Sequence, residues 1–379
     1  MTRAYLDHAS TSPLRPVAFD AMVPYLREHH GDPARLHAEG RATRVAVEDA
    51  RDRIAAFVGA RPREVVFTSG GTEAVNMAIY GAIARASDPA HVVTTAVEHS
   101  SVLDACRRSG ADVTVVGVDG TGHYDPAAVL DAVRDDTALV SVQLANHEVG
   151  TLQDAAAVCA GTDVLVHVDA CAAVGHVPLD FRSLGADLCS ITAHKLGGPA
   201  GTGALLVRRG LRIPPFVVGG AQERARRGGL ENVPAIVGFG AAAAELVEGD
   251  RLATEAATAR RQVDRIVSGA CTAVTGVRVL GDRDAALPHL VCLEVDGVEA
   301  EPILLALDQR GVAVHSGSAC SSETFEPSPV LQAMGLDGDH ALRVSVGWTT
   351  TDADVDLFLV AFADVTGRLR RLRTGSSTQ

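Results

Sequence analysis

The chain has 379 residues, of which 47% are hydrophobic and 21% are charged, a composition that is ordinary for one large or two medium folded domains. The formal net charge of −13 argues against nucleic acid as a direct partner, because phosphate binding needs a basic surface. No apolar stretch reaches the roughly 20 residues that cross a bilayer and the first residues lack an apolar signal core, so we expect a cytoplasmic protein without a membrane partner.

Short apolar runs alternate with helical patterns through the first half of the chain. The helical patterns lie at residues 72–85, 100–108 and 126–134. Near-continuous apolar strands separated by helices predict a mainly parallel sheet with helices on both faces. The seven strand candidates are residues 64–69, 91–96, 112–118, 138–145, 164–170, 187–193 and 203–209.

The pattern becomes α+β in the C-terminal part of the chain. We therefore expect a large α/β domain at residues 12–250 and a small α+β domain formed by residues 1–11 and 251–379. The helix candidates near and within this part are residues 231–248, 254–268, 301–310 and 329–334, followed by a last helix from Thr351. Its strand candidates are residues 277–280, 290–295, 312–316 and 342–347.

Seven cysteines are present, and none forms a CxxC pair or a cysteine–histidine group with zinc spacing, so we expect no metal site. Cys320 lies in the small, polar stretch 316–323, which is typical of an exposed loop and indicates a thiol that can travel. An incidental loop cysteine is the alternative for Cys320. Apolar or helical surroundings predict that five others are core residues, namely Cys106, Cys159, Cys189, Cys271 and Cys292.

Three polar features interrupt the strand–helix pattern and point to one kind of site. Two glycines and a hydroxyl in residues 69–73 lie between a strand and a helix, where backbone N–H groups can bind phosphate. Asp169 and Lys195 end neighbouring apolar strands, and a lysine in an uncharged stretch can lose its proton and form a Schiff base. Helix caps at Thr72 and Asp169 are the ordinary alternatives. Together the three features match pyridoxal 5'-phosphate (PLP), which needs partners for its phosphate, ring nitrogen and aldehyde.

At these residues the sequence resembles the NifS/IscS-type cysteine desulfurases of the PLP-dependent class V aminotransferases, over nearly the whole chain. The resemblance implies an α/β protein with the type I fold of PLP-dependent transferases, in which a large domain has a mainly parallel seven-stranded sheet. It also implies a smaller α+β domain with a mobile cysteine loop, and a homodimer with sites at the subunit interface. The matching segments are residues 5–9, 67–73, 97–99, 167–170, 194–195, 219–224, 316–320 and 343–347.

The resemblance also implies roles for individual residues. Lys195 forms the Schiff base and moves protons, Asp169 pairs with the ring nitrogen, and His99 stacks on the ring and acts as an acid or base. Cys320 takes the sulfur of the substrate as a persulfide. Without this context, a core histidine is the more common role for His99, and a surface ion-pair residue is the more common role for Arg343. The remaining implied contacts are to the phosphate (Gly71, Thr72, Thr192 and His194), to the ring oxygen (His147) and to the substrate (Arg343 and Asn146).

Four positions depart from the pattern of the family. The family has asparagine at His147, glutamine at Ala172 and threonine at Leu230, all of which contact PLP there, and asparagine is usual at Asp32. One neutral hydrogen bond is worth roughly 0.5–1.5 kcal/mol, so losing two would weaken PLP binding by about one to two orders of magnitude. A ring N–H of His147 can still donate. We therefore expect the cofactor to be held less tightly than in the family.

The implied activity is that of a cysteine desulfurase, which converts L-cysteine to L-alanine and passes the sulfur through Cys320 to an acceptor protein. A selenocysteine or cysteine-derivative lyase of the same family is the nearest alternative. Such lyases can work without the mobile cysteine, so replacing Cys320 separates the two activities. A non-catalytic scaffold of a sulfur pathway is a third alternative, which the altered cofactor contacts favour and the intact Lys195 and Asp169 oppose. The sequence leaves the acceptor open among iron–sulfur assembly, tRNA thiolation, DNA sulfur modification and metabolite synthesis.

Overall fold

The computed structural model of the chain describes residues 3–86, 90–316 and 328–375. Among these residues the strands form three sheets. The bounds of the strands, in chain order, are β1 Ala4–Tyr5, β2 Val65–Thr68, β3 His91–Thr95, β4 Asp112–Val116, β5 Thr137–Gln143, β6 Val166–Asp169, β7 Leu188–Thr192, β8 Gly203–Val207, β9 Val277–Leu280, β10 Leu290–Val295, β11 Val312–Ala313, β12 His315–Ser316 and β13 Ala341–Ser345.

The seven strands β2 to β8 form the central sheet, in the order β2-β8-β7-β6-β5-β3-β4. Strand β8 is antiparallel to both neighbours, and the other neighbouring pairs are parallel. β8 reverses direction because residues 193–202 join it directly to β7, and this loop is shorter than the dozen or more residues that a parallel crossover needs. The predicted mainly parallel seven-stranded sheet is therefore confirmed.

Helices cover the central sheet because its strands are apolar on both faces, as Val140 and Val168 in one core and Leu139 and Leu188 in another illustrate. No helix within the described ranges is both long and apolar enough to cross a membrane. The helices are α1 Pro16–Arg27, α2 Ala38–Phe57, α3 Gly71–Ile83, α4 Ser100–Arg108, α5 Pro126–Asp131, α6 Ala155–Gly161, α7 Phe181–Leu184, α8 Gln222–Ala225, α9 Val233–Val247, α10 Arg251–Ala273, α11 Ala300–Gln309, α12 Pro329–Ala333 and α13 Asp352–Gly375.

The C-terminal part forms an antiparallel sheet in the order β12-β13-β10-β9. Strand β1 pairs in parallel with β11, so the first described residues lie with this C-terminal part. Val263 of α10 and Phe358 and Phe362 of α13 share one core with Leu293 of β10. The prediction that Cys271 is a core residue is wrong, because its side chain is exposed near the end of α10.

The topology brings the ends of five strands to one edge of the central sheet. Strands β3, β5, β6 and β7 are parallel, and β2 shares their direction because β8 between β2 and β7 is antiparallel to both. The carboxyl edge of such a sheet is where α/β proteins bind ligands. The segments that follow these strands therefore surround one common site.

Candidate active site

A cavity of about 300 Å³ opens at the carboxyl edge of the central sheet. It brings together all the residues predicted to contact the cofactor, together with Arg343. Most of these side chains come from the segments that directly follow a strand, which is why residues distant in sequence meet here. The predicted cofactor contacts in its wall are Gly71, Thr72, His99, His147, Asp169, Thr192, His194 and Lys195.

One end of the cavity suits an anion. Helix α3 begins at Gly71, so its first backbone N–H groups and the positive end of its dipole lie at the cavity wall. A Cβ atom at Gly71 would lie 2.6 Å from Sγ of Cys171, and so a larger residue would collide there. Oγ1 of Thr192 lies 2.9 Å from Nδ1 of His194, which holds both side chains at the same wall. A phosphate group fits this set of donors.

Asp169 provides a buried carboxylate at the end of β6. Its Oδ1 accepts a hydrogen bond of 3.0 Å from the backbone N–H of Cys171. Burial, and then the charge of Asp169, raise the pKa of the Cys171 thiol well above its usual value, so this cysteine stays protonated. A fixed carboxylate in a cavity wall suits a protonated ring nitrogen.

Lys195 follows β7 and is the only lysine in the chain, whose other strongly basic side chains are all arginines. A guanidinium stays protonated in proteins, whereas an amine can be deprotonated and can form a Schiff base. That the sequence contains a single lysine points to Lys195 independently of any motif. Lys195 is therefore the only side-chain amine that this sequence offers for a Schiff base.

His99 and His147 form a pair of rings in the cavity wall, with centroids 5.1 Å apart and an edge-on angle of 65°. Nδ1 of His99 lies 2.8 Å from Oγ and 3.1 Å from the backbone N of Ser101, which fixes the orientation of its ring. Burial lowers the pKa of His99, and the neighbouring His147 and Lys195 lower it further. Burial and the charges of Lys195 and Arg343 lower the pKa of His147 to about 3. Both rings are therefore uncharged at neutral pH.

Arg343 of β13 extends from the C-terminal sheet to the cavity and is 2% exposed. Its Nη2 donates to Oδ1 of Asp7 at 3.0 Å and to Oγ of Ser10 at 2.6 Å, and its Nη1 donates to the carbonyl oxygen of His147 at 2.9 Å. Its Nε has no hydrogen-bond partner in the described part of the chain. Three of the five N–H groups thus hold the guanidinium in place, and Nε is not among them.

Asn146 and Cys320 are the two predicted site residues that are not found in this cavity wall. The Asn146 side chain is buried, donates to the carbonyl oxygen of Val97 at 3.1 Å, and accepts from the backbone N–H groups of Glu148 and Val149. Asn146 therefore holds the turn that carries His147, and its substrate contact stays a prediction. Cys320 lies outside the described residues.

The structure shows the surroundings of Asp32 and Leu230, two of the positions that depart from the family's pattern. Oδ1 of Asp32 accepts from the backbone N–H of Ala34 at 2.8 Å, and its other oxygen pairs with Arg35 at 3.0 Å. Asp32 thus stabilises a local turn. Leu230 is 63% exposed, away from the cavity of this chain.

Glu98, within the matching segment 97–99, and Gln143 are polar residues near the site to which the sequence assigned no role. Glu98 is buried, and its Oε1 accepts from Oγ1 of Thr95 at 2.6 Å and from the backbone N–H of Gln143 at 2.9 Å. Burial raises the pKa of Glu98 to about 8, although the hydrogen bond from Thr95 opposes this rise. At neutral pH the Glu98 carboxyl is therefore mostly protonated. The only sequence signal for Glu98 and Gln143 is their position beside apolar strands.

Replacing Glu98 with glutamine is expected to change how stability depends on pH. The pKa is raised from 4.5 to about 8, so Glu98 contributes stability that is complete below pH 4.5 and is lost as the pH rises through 8. We compare the free energy of unfolding of E98Q with that of the wild type at both pH values. Between pH 5 and pH 8.5 this difference should shift in favour of E98Q by roughly 2–4 kcal/mol. Chemical denaturation at both pH values measures this. The same exchange at the exposed Glu301 is the control, and an E98Q effect independent of pH would contradict the argument.

The chain matches the aminotransferase class-V family over residues 4–358. It is 40% identical over 383 aligned residues to the cysteine desulfurase IscS of Dictyoglomus turgidum, with 97% of this chain and 95% of that protein covered. Among solved structures it is similar to a NifS-like protein, with a TM-score of 0.90, 30% identity, and coverage of 97% of this chain and 100% of that chain. A structure of SspA in complex with cysteine has a TM-score of 0.81 and 28% identity, covering 92% of this chain and 100% of that chain. The chain therefore belongs to the aminotransferase class-V family.

Proposed function

We propose that this protein is a PLP-dependent cysteine desulfurase that converts L-cysteine to L-alanine and takes the sulfur on Cys320. The observation that carries the proposal is that Lys195, Asp169 and Arg343 meet in one cavity. The relative from Dictyoglomus turgidum is named a cysteine desulfurase, and the SspA structure contains cysteine. Both names support the same substrate for this chain.

The cavity fits PLP at each of its polar groups. Asp169 would pair with the ring nitrogen, Lys195 would form the Schiff base, and His147 would donate to the ring oxygen. When bound, PLP supplies an electron sink for the bonds that break at the amino acid joined to it. The uncharged ring of His99 would stack on the cofactor. The residues that would hold the phosphate are Gly71, Thr72, Thr192 and His194.

Arg343 would bind the carboxylate of L-cysteine, since it lines the cavity and a guanidinium held in a fixed position suits that group. Asp7 and Ser10 keep the guanidinium in position from behind. With the carboxylate held there, the Cα proton of the substrate would be taken by the Nζ amine of Lys195. Lys195 thus serves first as the point of attachment and then as a base.

His99 would take the thiol proton of the substrate. Its ring is uncharged at neutral pH, as a base must be. Because Nδ1 accepts a hydrogen bond from the backbone N–H of Ser101, the neutral ring carries its proton on Nε2, and a change of tautomer would be needed before Nε2 could take the thiol proton. Ser101 would then act as the positioning residue for the ring.

Cys320 would attack the sulfur of the substrate as a thiolate. A sulfur–sulfur bond forms, the carbon–sulfur bond breaks, and its electron pair remains on the carbon, which takes a proton to give L-alanine. The attacking group must be a thiolate, because the thiol is a poor nucleophile. The product on the protein is a persulfide on Cys320, which a protein acceptor would remove.

The two described ends of the segment that contains Cys320 support this role. On one side His315 of β12 pairs with Arg343 of β13, so the segment leaves the sheet beside a cavity residue. On the other side the hydroxyl of Ser328 donates to Oε2 of Glu148 at 2.5 Å, and Glu148 directly follows His147. Both ends of the cysteine segment thus start next to the active-site wall.

A homodimer is part of the proposal. Exposed apolar side chains at Phe216, Val218 and Leu230 lie in or beside the segment that the family uses between subunits. Burying such side chains against a second copy would remove apolar surface from water. The cytoplasmic location and the protein acceptor are proposed on the sequence grounds given above.

The proposal is tested by supplying the PLP-loaded protein with L-cysteine and a reducing thiol. We expect L-alanine and sulfide in equal amounts, because each turnover leaves one sulfur on the enzyme for the reductant to remove. L-selenocysteine supplied in parallel separates the two candidate substrates. Formation of alanine from selenocysteine but not from cysteine, or of pyruvate in place of alanine, would overturn the assignment.

A further inference from the structure

Gln143 is the last residue of β5, and its side chain lines the active-site cavity. In the parallel pair of β5 and β6, Gln143 is in register with Asp169. Residues in register on neighbouring strands point to the same face of a sheet. The side chain of Gln143 therefore projects from the same face of the sheet as the carboxylate of Asp169.

The side-chain amide nitrogen of Gln143 is buried without a hydrogen-bond partner among the described residues, and the whole residue is 3% exposed. Two other buried glutamines differ. Nε2 of Gln153 donates to the carbonyl oxygen of Gly122 at 2.7 Å, and Nε2 of Gln262 donates to that of Thr350 at 3.0 Å. A buried donor without an acceptor is costly and rare in proteins. Since Gln143 lines the binding cavity, a rotation of its side-chain amide would bring the unpaired nitrogen to an acceptor on the ligand.

We propose that the side-chain amide of Gln143 donates a hydrogen bond to the ring oxygen of PLP. This inference rests on the proposed PLP cofactor and adds a residue to its binding site. With its nitrogen paired to Asp169, PLP would have one hydrogen-bond acceptor near that nitrogen, the ring oxygen, since the methyl group between them forms no hydrogen bond.

The proposed contact affects the cofactor in two ways. It adds a hydrogen bond to a charged oxygen, and so it strengthens PLP binding. It would also stabilise negative charge on that oxygen, which shares a proton with the Schiff-base nitrogen, and so this proton would be lost at a lower pH. Because the visible absorption band changes when the proton is lost, Gln143 would lower the pH midpoint of that change.

The test compares Gln143→Met with Gln153→Met, a matched exchange at a glutamine whose amide is already paired. Methionine has a similar size and shape and lacks the amide donor. We expect Q143M to raise the Kd for PLP by about 3- to 10-fold and to raise the pH midpoint of the absorption band. In cofactor-free protein, Q143M should keep the Tm of the wild type. Q153M should lower the Tm, because it leaves a carbonyl unpaired, but keep the pH midpoint.

The outcomes separate this inference from the proposed function. A wild type that binds no PLP would contradict the cofactor itself. A wild type that binds PLP, with a Q143M variant unchanged in both Kd and pH midpoint, would overturn the role of Gln143 alone. A raised Kd with an unchanged midpoint would also overturn it, because Gln143 would then act elsewhere than on the ring oxygen.

Discussion

Replacing Cys320 with serine is expected to lower sulfide release from L-cysteine by more than about 100-fold, while the visible absorption of the bound cofactor stays unchanged. Serine keeps the size of the side chain, but its hydroxyl remains protonated near neutral pH and does not take up sulfur. The cofactor band should persist because Lys195 and Asp169 are untouched. Sulfide release and the absorption spectrum are measured on the same PLP-loaded sample.

Cys271→Ser is the matched control for this experiment, because Cys271 is exposed on α10 and lies away from the cavity. It should release sulfide at the rate of the wild type. Trapping with an alkylating reagent should detect a persulfide at Cys320 in the wild type and in C271S. Sulfide release that persists in C320S would show that the sulfur leaves directly, as in the lyase alternative, and that the persulfide assignment is wrong.

Replacing Lys195 with arginine is expected to remove the visible band of the bound cofactor and to lower activity by at least about 10³-fold. Arginine keeps the positive charge that lowers the pKa values of His99 and His147, but it cannot form the Schiff base. A loss of the band and of activity in K195R would therefore show that the amine of Lys195 is required, and not only its positive charge. A K195R variant that kept the band would contradict the assignment.

The single lysine allows a direct location of the cofactor. A protease that cuts after lysine should cleave the denatured chain once, after Lys195. Borohydride reduction of the PLP-loaded protein should fix the cofactor on this lysine and block the cut. The same treatment without PLP is the control and should leave cleavage intact. Cleavage after reduction, with the cofactor retained on the protein, would place the Schiff base elsewhere.

The proposed contact of Gln143 bears on the expectation that PLP is held weakly. That expectation counted the loss of a donor at Ala172, which lines the cavity but carries no polar group. An amide from Gln143, on the neighbouring strand of the same wall, would supply a donor in its place. The replacement of the family's asparagine by His147 would then be the main remaining difference from the family among the contacts to the ring oxygen.

Much of the fold follows from local patterns in the sequence. The apolar runs that became β3, β6 and β7 are buried along their whole length, so their composition alone predicted strands in a covered sheet. Motif positions also placed Asp169 and Lys195 correctly at one edge, since parallel strands end on the same side. The helix at α10 is longer than predicted, because packing against the C-terminal core extends it beyond the local signal.

Other features depend on contacts between segments that are distant in sequence. The sequence by itself determined the strand–helix order, the glycine-rich turn at Gly71 and the single lysine at Lys195, because these depend on residue type and neighbouring residues. Only the tertiary structure decided that the Glu98 carboxyl is buried, that the Asn146 amide is used by its own turn, and that the amide nitrogen of Gln143 has no partner among the described residues. Burial and hydrogen-bond partners arise from the packing of whole elements, and the local sequence does not encode them.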